Sequence, residues 1–338
     1  MSRVPTHRYR DPVERVWLAC ASRIGFRVVR SNEVYASSDG AGTITLSDAA
    51  GMDPDDGLAQ MIFHELCHSL IEGENALVLE DWGLDNRSER DVPREHACLR
   101  LQATLAGRHG LRRVLAPTTD FRAFYDVLPE GPIDGRSDDA IVARRGLQRA
   151  AKAPWGPHLE EALVATAAIA RAATGFAAGV VEEDGRPSLW ALVDAAPDGH
   201  PAGGIVAAGE GGCGTCAWHG LKGRCAVRSR RVDEAWPRCD AWEPALDCLD
   251  CGACCREAFH AVDVGPRESV IKRHPELIVF EDGRHGVLRD GERCAALEGS
   301  LATKFTCRIY EDRPRTCQDF ALGSGNCLVA RRRVGLSA

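Results

Sequence analysis

The chain has 338 residues, 44% of them hydrophobic and 27% charged, with 49 acidic against 42 basic side chains and a formal charge of −7. That size points to two or three domains, and that balance excludes a disordered or fibrous chain and a surface built throughout to hold nucleic acid. The opening MSRVPTHRYRDPVERV has no apolar core and no run of about eighteen apolar residues occurs, so no signal peptide or membrane span is expected and the protein reads as cytoplasmic.

In chain order, residues 12–24 place Val13, Val16, Trp17, Cys20 and Ile24 at helical spacing behind an Asp11-Pro12 start. Three short β-type runs follow, at 26–29, 34–37 and 43–47, with Asp39-Gly40 and Ala41-Gly42 supplying the turn between the last two. Asp53 to Asp56 then opens a long helix, LAQMIFHELCHSLIEG, with acidic residues at its start and Gly73 at its end. Helical patterns at 92–108, 119–128, 138–152 and 157–173 are expected to pack around it. The Gly/Ala/Pro-rich stretch 176–212 reads as a partly structured linker, and Arg331-Arg332-Arg333 as a frayed, solvated tail.

His64-Glu65-Leu66-Cys67-His68 sets two imidazoles at i and i+4 on one helix face, able to converge on one zinc ion. Glu65, beside the first of them, is then placed to take a proton from a zinc-bound water. Cys67 falls off the histidine face and reads as packing. With the order helix, strands, motif helix, the first ~130 residues resemble the zincin metallopeptidases, in particular short gluzincin-like domains. The resemblance implies that His64 and His68 are zinc ligands and Glu65 the general base. It also implies that the strand Thr43 to Ser47 holds an extended peptide by edge pairing. The third ligand it requires is a Glu on the next helix, and Arg94-Glu95-His96-Ala97-Cys98 lies there. Glu95 or its neighbour His96 can fill the place but not both, because adjacent helical side chains diverge by about 100°. Glu72, Asp81 and Asp85 are poorer choices. His109, Arg112 and Tyr125 are the nearest downstream candidates for an oxyanion donor.

Only Cys20, Cys67 and Cys98 precede residue 213, whereas the other twelve of the fifteen cysteines lie from Cys213 onward. In a chain without a secretory signal such clustering reads as thiolate metal ligation rather than disulfides. Cys213, Cys216, Cys225 and Cys239 suffice for one tetrahedral site or one Fe–S cluster. The glycine pattern Gly209 to Gly214 formally matches a dinucleotide motif but no helix pattern follows it. Next come Cys248-Leu-Asp-Cys251-Gly-Ala-Cys254-Cys255, then Cys294, Cys307-Arg-Ile-Tyr-Glu-Asp-Arg-Pro314-Arg-Thr-Cys317-Gln-Asp-Phe320, and Cys327. Adjacent Cys254 and Cys255 cannot easily serve one small site, so one of them ligates a different metal or is free. This segment is similar to the YkgJ-like zinc/iron-chelating cysteine-cluster family, whose hallmark also includes Tyr310, Arg313, Pro314 and Phe320. The resemblance implies a small metal-binding module. Lys222, Arg224, Arg228, Arg230 and Arg231 form a basic patch around Cys225, read as a solvated face.

The expected architecture is therefore α+β: a zincin-like domain with helical extension at 1–175, the linker 176–212, a four-cysteine metal module at 213–247 and the cysteine-cluster domain at 248–330. The expected function is zinc-dependent hydrolysis of a peptide or protein substrate, coupled to a cysteine module holding an Fe–S cluster or further Zn²⁺. One alternative is an Fe–S or metal-handling protein, for electron transfer or metal sensing, with a non-proteolytic N-terminal metal site. A second is a zinc-ribbon interaction protein. Neither membrane nor nucleic acid is expected as a partner.

Overall fold

The computed structural model describes residues 7, 9–53, 55–85, 89–117, 121–182, 185–220 and 222–338. The chain divides into two compact units, Met1–Pro197 and Asp198–Ala338.

Unit 1 begins with α1 (Pro12–Ile24). Asp11 accepts from the N–H groups of Val13 and Glu14 at 2.8 and 3.2 Å, Pro12 occupies the first turn, and Gly25 closes the helix at φ 119°. The strands β1 (Arg27–Ser31), β2 (Ala36–Ser38) and β3 (Thr43–Ser47) form one sheet in the order β1-β3-β2. β1 runs parallel to β3 and β2 antiparallel to it. Thus β3 is paired on both sides and has no edge for a peptide, contrary to the expectation for Thr43 to Ser47. The edge strands are β1 and β2, because β3 pairs between them.

The motif helix α2 (Leu58–Glu72) is the centre of the unit: Leu58 to Phe63 and Glu65 to Ile71 are all buried. A helix wrapped on all sides needs no single apolar stripe. The acidic run before it forms a turn in which Asp56 accepts from the Asp53 N–H at 2.8 Å, and Gly57, without a capping side chain, begins the helix. α3 (Val92–Gly107), α4 (Arg122–Asp126), α5 (Asp138–Ala150) and α6 (His158–Ala177) follow. Thr119 and Asp120, within the helix expected at 119–128, lie outside the described residues. α1, α3 and α5 pack on α2, whereas α6 packs on α1. Trp17 ties these layers together: it is fully buried, its ring centroid lies 4.8 Å from that of Phe63, and its indole N–H donates to Thr166 Oγ1 at 3.0 Å. Trp17→Ala is expected to destabilise unit 1 by about 3–5 kcal/mol, read as a lower denaturant midpoint of its unfolding transition.

The stretch expected as a linker carries a 3₁₀ turn at Leu189–Leu192, held where Thr174 Oγ1 donates to the Trp190 carbonyl at 3.0 Å, and the units divide within it.

Unit 2 is built from very short elements. β4 (His219–Gly220), β5 (Arg224–Cys225) and β6 (Arg230–Arg231) form an antiparallel sheet. Then come the one-turn helices α7 (Cys248–Cys251) and α8 (Ala253–Arg256), strand β7 (Asp263–Val264) and helix α9 (Val270–Arg273). β8 (Ile278–Glu281) and β9 (Arg284–Val287) complete a sheet with β7. β10 (Arg289–Asp290) pairs with β11 (Arg293–Cys294), and β12 (Leu297–Glu298) with β13 (Thr306–Cys307). Helices α10 (Arg315–Gln318) and α11 (Gly325–Arg333) end the unit.

The arginine run is not a frayed tail. Arg331 is buried, paired with Glu243, and donates to Ser337 Oγ at 2.8 Å and to the Leu336 carbonyl at 3.0 Å, while Arg333 donates to the Ala258 carbonyl at 2.6 Å. The guanidinium groups satisfy carbonyls of the segments that follow α11 and α8, which charge composition alone does not reveal. Among the described residues no helix is long and apolar enough to cross a membrane.

Candidate metal centres

In unit 1, α2 and α3 bring His64, His68 and Glu95 together. The two Nε2 atoms are 3.1 Å apart, and the Glu95 oxygens lie 3.4 Å from His64 Nε2 and 3.1 Å from His68 Nε2. Two imidazoles and a carboxylate aimed at one point form a donor set suited to a divalent cation of the zinc type. His96 instead stacks on Phe124, with ring centroids 3.8 Å apart. One step along α3 turns it away from the site.

Without a metal the same atoms hold a proton. Burial works against charge on His68, but the charge and hydrogen bond of Glu95, with Glu65 and Glu72 behind, hold its pKa up to about 9. Burial likewise opposes ionisation of Glu95, yet His68 and His64 hold its carboxyl down to about 2. Cys98, one turn beyond Glu95, brings its Sγ to 3.9 Å from His64 Nδ1, and its thiol clusters with the two imidazoles within 4.8 Å. Burial, first, and a hydrogen bond with Cys67 keep that thiol well above the usual range, so the ionised Glu95, on the Nε2 side, is the better ligand. Cys67 is fully buried.

Gln102 completes the arrangement. Its amide N–H donates to the Leu115 carbonyl at 2.6 Å, which turns Oε1 to accept from His64 Nδ1 at 2.8 Å and leaves the Nε2 lone pair facing the site. Sequence reading missed Gln102, although Glu95, Cys98 and Gln102 at i, i+3 and i+7 share one face of α3. Gln102→Ala is expected to cost about 10–100-fold in zinc affinity at this site, measured by chelator competition.

Glu65 accepts from the Trp82 indole N–H at 2.9 Å. Trp82 and Asp81 both have positive φ, 59° and 47°, and this strained turn is anchored where Ser38 N–H donates to Asp81 Oδ1 at 3.0 Å. Asp81 therefore clamps the loop to β2, while Glu72 is paired with Arg94. Asp85 N–H donates to Asp91 at 2.7 Å in a loop turn.

His64, Glu65, His68 and Glu95 line a cleft of about 470 Å³, together with Ala36 and Ser37 of β2. The three oxyanion candidates stand elsewhere. Tyr125 is buried and donates to the Arg112 carbonyl at 2.8 Å, Arg112 donates to the Leu128 carbonyl at 2.6 Å, and His109 pairs with Glu160 at 3.3 Å. Their place downstream of the motif gave sequence proximity without direction: they face the α4 side of α3 or the start of α6.

In unit 2 the thiols fall into groups. Cys213, Cys216, Cys225 and Cys239 line a small cavity of about 10 Å³, room for about one water-sized sphere. His200 borders this cavity, but its Nδ1 accepts from the Ala202 N–H and its Nε2 faces the Pro237 carbonyl, each at 3.0 Å, so neither nitrogen is free to ligate. Burial and the three neighbouring thiols push Cys213 up to about 11, so a metal entering there must displace protons. Arg228, of the basic patch, is paired with Asp240 at 2.6 Å and donates its backbone N–H toward Cys225 Sγ at 3.4 Å.

A second cavity, of about 30 Å³, is lined by Cys248, Cys251, Cys254 and Cys327. The buried Cys294 belongs to an apolar cluster with Phe305, and Cys255, Cys307 and Cys317 pack against that cluster. Gly252 links α7 to α8 at φ 55°, and a Cβ there would meet the Phe305 ring at 2.8 Å, which explains the glycine within the cysteine run. Arg313 lies over the Tyr310 ring at 3.8 Å and donates to the Tyr310 carbonyl, and the Pro314 carbonyl accepts from Cys317 N–H at 2.9 Å. Phe320 borders the second cavity. These hallmark residues hold the turn that carries Cys317.

Residues 247–330 match the family CxxCxxCC, described as "Putative zinc- or iron-chelating domain". Over 101 residues the chain is 30% identical to "Uncharacterized protein YkgJ" of Escherichia coli O157:H7, covering 27% of this chain and 93% of that protein. Over 88 residues it is 32% identical to "Putative ferredoxin" of Acinetobacter calcoaceticus, covering 25% of this chain and 71% of that protein. No solved structure matches. Soft thiolates at this density are the donors that zinc and iron–sulfur clusters take. Through these residues the chain belongs to the CxxCxxCC family of zinc- or iron-chelating domains.

Proposed function

We propose that the protein is a cytoplasmic, two-part metalloprotein in which a zincin-like unit 1 hydrolyses peptide bonds with zinc, alongside the cysteine module of unit 2. The observation that carries this reading is the convergence of His64, His68 and Glu95, 3.1–3.4 Å apart, beside Glu65 in an open cleft. Zinc, when bound, supplies Lewis acidity and lowers the pKa of water towards neutrality. Trp82 occupies one oxygen of Glu65, leaving the other to accept the proton of the attacking water. An extended peptide would add to β2, the edge strand at the cleft, with Ala36 and Ser37 facing it. The reducing cytoplasm keeps the thiols available for metal.

A second reading has its own support, and the family comparisons favour it: the similarity lies within the cysteine module, and one relative carries the name ferredoxin. It makes the chain a metal-handling or electron-transfer protein whose His64 site binds metal without hydrolysis. The test incubates the zinc-loaded full-length chain with a degenerate peptide library and reads fragments by mass spectrometry. Cleavage that a chelator stops and zinc restores supports the peptidase. No cleavage with the His64 site fully occupied leaves the metal-handling reading.

A further inference from the structure

The eight cysteines between residues 248 and 327 do not surround one point. Helix α7 carries Cys248 and Cys251, α11 carries Cys327, and these line one cavity with Cys254 of α8. The next residue on α8, Cys255, turns about 100° away. It packs against the apolar cluster that contains Cys294, at the end of β11, as do Cys307 at the end of β13 and Cys317 on α10. α8 touches both α11 and β11, so it stands between the two sets.

We propose that the cysteine-cluster domain holds two metal centres, one on Cys248, Cys251, Cys254 and Cys327 and the other on Cys255, Cys294, Cys307 and Cys317, joined through the Cys254–Cys255 peptide. Each set has the number of thiolates that a tetrahedral or cluster site takes. The sulfurs of Cys254 and Cys255 are 3.8 Å apart, so the two centres would be close neighbours. A cysteine run whose last member serves the neighbouring centre is the arrangement by which two-cluster ferredoxins pair their clusters. The run in this chain is more compressed, with its third and fourth cysteines adjacent. The division does not depend on any hydrolysis in unit 1. With the separate set Cys213, Cys216, Cys225 and Cys239, it uses all twelve C-terminal cysteines.

The deciding experiment loads the reduced, full-length protein with cadmium-113 and records proton–cadmium correlations from the cysteine β-protons. Cys254 and Cys255 are expected to couple to two different cadmium resonances, the first shared with Cys248, Cys251 and Cys327 and the second with Cys294, Cys307 and Cys317. Coupling of both to one ion, of either to two ions, or a single ion for all eight cysteines overturns the division. Metal counting gives a second reading: Cys327→Ser and Cys317→Ser should each remove about one ion per chain from the zinc-loaded parent, and together about two. Loss of both ions from either single variant that keeps the parent's circular dichroism overturns it as well. For a variant that fails to fold, the cadmium spectrum of the unmutated chain decides.

Discussion

Glu65→Gln is expected to lower peptide hydrolysis by about 10²–10⁴-fold, with zinc still bound. The substitution keeps the shape of a buried side chain and an oxygen to accept from the Trp82 indole, so the cleft wall stays in place. It changes the one property that matters for proton transfer: an amide cannot accept the proton of the attacking water. Glu65 is not among the three groups that converge on the site, so metal content should match the parent by elemental analysis. A variant that cleaves at the parent rate with full zinc occupancy removes Glu65 from the mechanism, and with it the peptidase reading built on this motif.

The second large effect is expected at Glu95. Glu95→Ala should weaken zinc binding at the His64 site by more than about 100-fold, beyond the loss from a supporting residue such as Gln102, whereas His96→Ala should leave it unchanged. The pH dependence makes the test specific. In the metal-free protein His68 is raised from 6.5 to about 9, with Glu95 as the main partner that overcomes burial. Its pairing therefore stabilises the metal-free fold fully below pH 6.5 and loses that contribution as pH rises through about 9. Glu95, lowered from 4.5 to about 2, contributes above pH 4.5 and loses it as pH falls through about 2. Zinc must displace the His68 proton at neutral pH, so its affinity should rise about tenfold per pH unit between about 7 and 9 and then level. In Glu95→Ala the slope over that range should flatten, because the charge that holds the proton is gone. Chelator competition at several pH values reads both quantities; equal affinities and slopes for the Glu95 and His96 variants would place the third ligand elsewhere.

Much of unit 1 was legible because local rules act within a few residues. Asp11-Pro12 and Gly25 bound α1, a four-residue spacing sets His64 and His68 on one face, and the glycine-rich turn joins β2 to β3. The same rules favoured Glu95 but left His96 open, since either side chain can ligate zinc. The choice belongs to the rotation of α3 against α2, which packing sets. Likewise β3 looked like a peptide-binding edge until the parallel pairing of β1 put a neighbour on each side. Gln102 and Trp82 reach His64 and Glu65 from 38 and 17 residues away, beyond any local pattern.

In unit 2 the sequence alone determined the chemistry. Twelve thiols in short, glycine-spaced runs are dense soft ligands, and the family match covers the eight of them from Cys248 to Cys327. It could not group them, because cysteines from 248 to 327 meet by way of helices and strands only two to nine residues long, whose directions no periodicity records. Tertiary structure made that decision, as it did for Arg331, whose charge reads as solvated until the fold supplies Glu243 and two neighbouring oxygens to receive it. Ligand type follows from residue identity, while ligand geometry follows from contacts made across the chain, and only packing sets those.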